Sequence, residues 1–176
     1  YRIGIEQFFG QFQYTAPTID LRRYVRAKPV TFAGRLYGFG RFGNPNNQTL
    51  FPLFIGMPFL IRGYEANSFF NNENNSFTID QLIGDRMAVA NFEVRLPFTG
   101  PEKLSIVPSK FLFSELNLFF DAGIAWNKGN TVLLNRKTLP QIGVDSNGKP
   151  IFDSANTRVL ALSAGISTRV NVFGYF

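Results

Sequence analysis

The chain has 176 residues, enough for one domain of ordinary size. It contains no Cys and no His, which excludes a disulfide framework, thiolate metal sites, a histidine general base and a Ser-His-Asp triad. Eighteen basic against 12 acidic residues give a net charge of +6, yet the basic residues form no run. Arg22, Arg23 and Arg26 come closest to one, and they fall on a strand-like segment with mixed facing, so no nucleic-acid partner is expected.

Phe outnumbers Met by 21 to 2 and is accompanied by 16 Gly, a mix that suits many strands with close backbone approaches and aromatic girdles. The mean hydropathy of −0.01 fits a soluble domain. It equally fits a transmembrane barrel, whose lipid-facing and lumen-facing residues alternate and cancel. No apolar run approaches the ~20 residues that a spanning helix needs. The best, Leu50 to Ile61, is broken by Pro52, Gly56 and Pro58. The chain begins at Tyr1 without Met or a leader, as a mature chain or a fragment would.

Residues 1–14 read as a first strand, weakly alternating, and Thr15-Ala16-Pro17-Thr18 reads as a turn. A second strand follows, with Ile19, Leu21, Arg23 and Val25 opposing Asp20, Arg22, Tyr24 and Arg26, and Lys28-Pro29 ends it. The third runs from about Val30 to Phe42, with Arg35, Tyr37, Phe39 and Arg41 on one face. Residues 43–85 then show no clean period and carry the asparagine clusters Asn44-Pro45-Asn46-Asn47 and Asn71-Asn72-Glu73-Asn74-Asn75. A loop of that length is usually functional or disordered. Its middle, Phe51 to Tyr64, is too apolar to lie in water, so the loop is expected to fold back onto the protein.

The fourth strand, Met87 to Phe98, alternates cleanly: Ala88, Ala90, Phe92, Val94, Leu96 and Phe98 oppose Asn91, Glu93 and Arg95. After a short link at Thr99-Gly100-Pro101, the fifth strand spans about Phe111 to Trp126. It sets Leu112, Leu116, Leu118, Phe120, Ala122, Ile124 and Trp126 against Glu115, Asn117, Phe119, Asp121 and Gly123. That exceeds an ordinary soluble strand and suits a tilted membrane strand. A polar loop follows, and the sixth strand, Arg158 to Val172, alternates again. Gly174 suggests a turn, with Tyr175-Phe176 opening a seventh strand. Apolar-out, polar-in strands joined by alternating short and long connections are the pattern of an outer-membrane barrel.

Arg62 is the sharpest residue in the long loop, flanked by Phe59, Leu60, Ile61 and Tyr64, with Gly63 beside it. An arginine carried into the protein by an apolar loop needs an acceptor. Asp121 is the best candidate, on the inward face between Phe119 and Gly123; Glu93 and Glu115 are rivals on the same face. Glu93 with Glu115 would also fit a paired-carboxylate hydrolase, but a water-filled barrel needs such inward polar residues anyway. Gly38 and Gly40 precede no helix pattern, so no nucleotide site is expected.

These residues resemble the C-terminal barrel of the BamA and two-partner-secretion transporter superfamily (bacterial surface antigen domain). Ile61-Arg62-Gly63-Tyr64 is similar to the family's Val/Ile-Arg-Gly-Phe/Tyr loop motif, and Phe119-x-Asp121-x-Gly123 to its Phe-x-Asp-x-Gly strand motif. Asn91-x-Glu93-x-Arg95-x-Pro97 resembles the intervening strand.

The resemblance implies an all-β fold: the later six to seven strands of an antiparallel transmembrane β-barrel, sixteen-stranded when complete. Residues 1–176 would form one partial barrel domain and 43–85 a loop folded into the lumen. Arg62, Gly63, Tyr64, Phe119, Asp121 and Gly123 would form a loop–lumen lock, with Glu93, Glu115 and Arg95 as further lumen partners. The implied activity is insertion or translocation of polypeptides in the bacterial outer membrane, without covalent catalysis, metal or cofactor. The partners would be membrane lipid, a polypeptide client and periplasmic or lipoprotein accessory subunits. The alternative is a transport or anchor barrel without insertase activity, fused or not to an enzyme or binding domain beyond these residues.

Overall fold

The computed structural model describes residues 1–43, 50–64, 79–133, 141–152 and 156–172. Six long strands follow one another in chain order: β1 (Arg2–Phe8), β2 (Tyr14–Ala27), β3 (Val30–Gly40), β4 (Arg86–Gly100), β5 (Leu112–Trp126) and β6 (Ala161–Val172). Each pairs antiparallel with its chain neighbours to give the order β1-β2-β3-β4-β5-β6. Among the described residues there is no α-helix, and no helix is long and apolar enough to cross a membrane. The fold is all-β, an up-and-down sheet forming part of a barrel wall.

The period-2 pattern dictates the facing. Register sets Asp20 opposite Tyr37, Arg35 opposite Asn91, and Asn91 opposite Asp121, so one face gathers the polar and ionic side chains. The other face carries Leu36, Phe92, Leu118, Phe120 and Ile166, all exposed, Ile166 at 69%. Exposed aliphatic and aromatic rows on one face and buried charge on the other are what lipid outside and a lumen inside require. The 15 residues of β5 extend roughly 50 Å, or about 35 Å of depth at a tilt near 45°, enough to cross the hydrocarbon and project beyond it.

The two ends of the sheet differ. At one, Lys28-Pro29 joins β2 to β3, and residues 101–111 join β4 to β5. The second link is held tightly, with Leu104 and Ser105 donating their N–H groups to the Pro101 carbonyl. At the other end lie the five-residue link from β1 to β2, residues 9–13, and the long connections after β3 and β5. The β3–β4 connection contains the short strands Leu53–Phe54 and Ile83–Gly84, paired antiparallel, and a 3-10 turn, Ile79–Leu82. Its apolar middle is buried: Ile55, Leu60, Ile61 and Leu82 pack with Met87, Val89, Ala125 and Ala161, flanked by Tyr37 and Phe39. The inward face therefore changes character along its length, apolar where the loop docks and ionic below.

Several boundaries differ from the sequence reading. The first strand ends at Phe8, and Thr15-Ala16-Pro17-Thr18 lies inside β2 rather than in a turn. Pro17 is tolerated because the ladder from β2 to β3 lapses beside it, pairing Thr18 with Phe39 and resuming only at Thr15 with Phe42. The expected sixth strand is two pieces. Thr157–Val159 pairs in parallel with Thr131–Leu133, and β6 starts at Ala161. The polar loop before it holds a hairpin, Gln141–Val144 with Pro150–Phe152, turned at Asp145 through Gly148. The two asparagine clusters, Gly174 and the expected seventh strand lie outside the described residues.

Candidate functional site

The loop reaches the ionic stretch of the wall through a single hydrogen-bonded turn. Leu60 and Ile61 both donate their N–H groups to the Met57 carbonyl, at 2.8 and 2.9 Å, and Arg62 leaves this turn pointing at β4 and β5. Gly63 follows with φ +83°, a conformation L side chains rarely adopt, which turns the chain after Arg62. Gly56 sits where the two arms of the loop meet: a Cβ there would overlap the Tyr64 carbonyl oxygen.

Arg62 is gripped from three sides. Its Nε and Nη2 donate to Oδ2 and Oδ1 of Asp121, each at 2.7 Å, in a bidentate pair. Its Nη1 donates to Glu93 Oε1 at 2.7 Å, and its backbone N–H donates to Asp121 Oδ2 at 3.1 Å. The guanidinium carbon lies 3.7 Å from the centre of the Phe119 ring. That ring in turn covers Gly165 on β6, where a Cβ would approach its Cζ to 2.6 Å. The hydrogen bonds to Asp121, foremost, raise the Arg62 pKa above its already high value, so the guanidinium stays charged.

The acceptors are held just as firmly. The Asp121 side chain is fully buried and also accepts from Asn91 Nδ2 at 2.8 Å, while the same amide donates to the Leu60 carbonyl at 2.7 Å. Glu93 accepts from Arg95 Nε at 2.8 Å and has Arg169 at 3.6 Å. Glu115 stands away from Arg62 and faces Arg169 at 3.5 Å. Gly123 makes room for Ile61: a Cβ there would overlap Ile61 Cδ1 and approach the Ala88 carbonyl to 3.2 Å. Tyr64 completes the junction on β6, where its hydroxyl donates to the Leu162 carbonyl at 2.6 Å and accepts from the Leu162 N–H at 3.2 Å.

Three contributors escaped the sequence reading. Asn91 was legible as an inward residue, but only the β4–β5 register puts it opposite Asp121. Arg35 forms a bidentate pair with Asp20, at 3.0 and 3.1 Å, and donates to the Phe59 carbonyl at 2.9 Å, tying the loop tip to β2 and β3. Gln81 is fully buried and binds the backbone of Thr157 and Val159, at 2.9 and 3.0 Å, joining one long connection to the other. Nothing local in the sequence marks Arg35 or Gln81, because their partners lie on other segments.

The arrangement fixes a loop by charge-assisted hydrogen bonds in a shielded pocket, with an arginine against each of Asp20, Glu93, Glu115 and Asp121. Among the described residues, no group of His, Cys, Asp and Glu side chains could hold a metal ion. Compared with known proteins, the chain matches the Omp85 superfamily domain over residues 2–172. No curated protein and no solved structure matches it. With that match spanning nearly the whole chain, and an antiparallel sheet of tilted-strand length beneath it, the chain belongs to the Omp85 superfamily, the outer-membrane barrels of protein insertion and secretion.

Proposed function

We propose that this chain is the wall and inner loop of a bacterial outer-membrane barrel that inserts or translocates polypeptides without covalent catalysis. The observation that carries this reading is the grip on Arg62: a long connection is drawn down the inside of the sheet and pinned at its tip by Asp121 and Glu93. A loop so placed controls both the free space of the lumen and the rigidity of the wall. The lock sets the loop position, while the client engages by strand pairing at a seam outside these residues. Membrane lipid surrounds the outward face, and periplasmic or lipoprotein subunits assist on the short-turn side. No cofactor or nucleic acid takes part.

The test uses the full-length protein carrying Arg62→Ala or Asp121→Asn, with client-barrel assembly or client secretion as the readout. Both variants are expected to fail at the same step. Wild-type activity in both would refute the role of the lock. Intact ion conductance with no dependence of client assembly on the protein would instead identify a passive pore or anchor.

A further inference from the structure

In the rows from Ile19 to Val25, the described part of the outward face carries one charge. Asp20, Arg22 and Tyr24 of β2 face the lumen, which turns Arg23 outward with Ile19, Leu21 and Val25. Across the described strands, the rows from Ile19 to Val25 hold no other charged side chain on that face. Arg23 is exposed, and among the described residues its outward neighbours are Gly34 on β3 and then Phe92 and Phe120 in the same row, with no acid among them.

Beside Arg23 the wall is hollow. Gly34 presents no side chain, and a Cβ built there would meet nothing within 4 Å. The result is a groove of about 410 Å³ lined by Arg23, Gly34, Leu36, Ala90, Phe92 and Phe120. Its surface is mostly apolar, over Gly34 and Ala90, and Arg22, Arg35 and Asn91 also border it. The groove runs from Arg23 toward the Leu21–Leu36–Ala90 row, away from the Lys28-Pro29 turn.

Depth orders these parts. Arg23 precedes the end of β2 at Ala27 by four residues, which places it about 10 Å above the short-turn end for a strand tilted near 45°. Short turns mark the periplasmic side. From there an arginine stem can extend along apolar surface and present its guanidinium to the headgroup layer. A cation at that level needs an anion, and the apolar groove on its membrane-core side matches a hydrocarbon chain.

We propose that Arg23 and this groove bind one anionic phospholipid of the periplasmic leaflet, with its phosphate on the guanidinium and one acyl chain along the Gly34–Ala90 floor. The proposal rests on the barrel fold alone and not on the role assigned to Arg62.

The experiment is native mass spectrometry of the full-length protein titrated with dioleoyl phosphatidylglycerol, dioleoyl phosphatidylcholine or lipid A. Wild type is compared with Arg23→Gln and Gly34→Leu, each first shown to be folded by its resistance to SDS without heating. Wild type is expected to retain one phosphatidylglycerol in preference to the other two. Arg23→Gln should weaken that retention about fivefold and lose the headgroup preference. Gly34→Leu, whose Cβ meets no atom within 4 Å, should fill the groove and weaken both phospholipids. Unchanged retention in both variants, or equal retention of the two phospholipids by wild type, would overturn the site. Preferential retention of lipid A would overturn the leaflet assignment. Client assembly is a separate readout: its failure in the Arg62 variant leaves the lipid site standing.

Discussion

Arg62 concentrates the energetics of the junction because its main acceptor has nowhere else to turn. The Asp121 side chain is fully buried, and with the Arg62 guanidinium removed it keeps only neutral donors, the Asn91 amide and the backbone N–H of residue 62, against its charge. Breaking a buried pair from one side leaves an uncompensated charge and costs about 3–5 kcal/mol. Arg62→Ala is therefore expected to lower unfolding stability by roughly that amount, read as a shifted midpoint in urea. Arg62→Lys should recover only part of it, since an ammonium cannot serve both Asp121 oxygens and Glu93 in one plane. Equal stability of the Lys variant and wild type would show that fork geometry is irrelevant. Gly123 acts by its missing side chain. Gly123→Val drives methyl groups into Ile61 and the Ala88 carbonyl, with an expected cost of about 1–3 kcal/mol. The same unfolding assay checks it, and a neutral result would mean that Ile61 has room to move.

At the scale of elements, the long β3–β4 connection behaves as a fastened structure rather than a slack loop. Its tip binds β4 and β5 through Arg62, β6 through Tyr64, and β3 through Arg35. Gln81 joins its return arm to Thr157 and Val159. Gln81→Ala takes the side-chain acceptor from the buried Val159 N–H and leaves the Thr157 carbonyl only the long contact from Arg158 Nη1 at 3.5 Å, a loss of about 1–3 kcal/mol that should stay local. Hydrogen exchange is expected to speed up at residues 157–159 while β4 and β5 keep their protection. Faster exchange throughout the sheet would contradict that locality.

These elements also show where sequence is readable. β4, β5 and β6 announce themselves because lipid on one side and lumen on the other force strict alternation, as Phe92, Val94 and Leu96 against Asn91, Glu93 and Arg95 illustrate. The start of β2 hides behind Pro17, whose acceptability depends on a lapse in pairing at Arg41 that no local pattern reveals. Arg62 stands out by its apolar flanks. Arg35, Asn91 and Gln81 do not, since their roles come from register and from contacts across 24 to 78 positions.

For the whole molecule, the loop acts as a brace across five strands. On one side Arg35 and Asp20 connect its tip to β3 and β2; on the other Arg62, Glu93 and Asp121 connect it to β4 and β5, with Tyr64 reaching β6. The two sides are unequal. Arg35→Ala leaves Asp20 with Arg22 at 2.8 Å and frees a carbonyl that faces the lumen, so it should cost about 1 kcal/mol, well below Arg62→Ala in the same urea titration. A reversed ranking would place the main anchor on the β2–β3 side.

The central claim is that the loop tip lies inside, against β5. The chain has no cysteine, and the Arg62 backbone nitrogen is 3.1 Å from Asp121 Oδ2, so the main chain of residue 62 lies one side chain away from β5, where a disulfide can test the approach. Arg62→Cys with Asp121→Cys, oxidised in native membranes of the full-length protein, is the direct measurement. Efficient crosslinking, with Cys at position 62 shielded from an impermeant maleimide, is the predicted result. No crosslink, together with rapid labelling of position 62 from outside, would contradict the account.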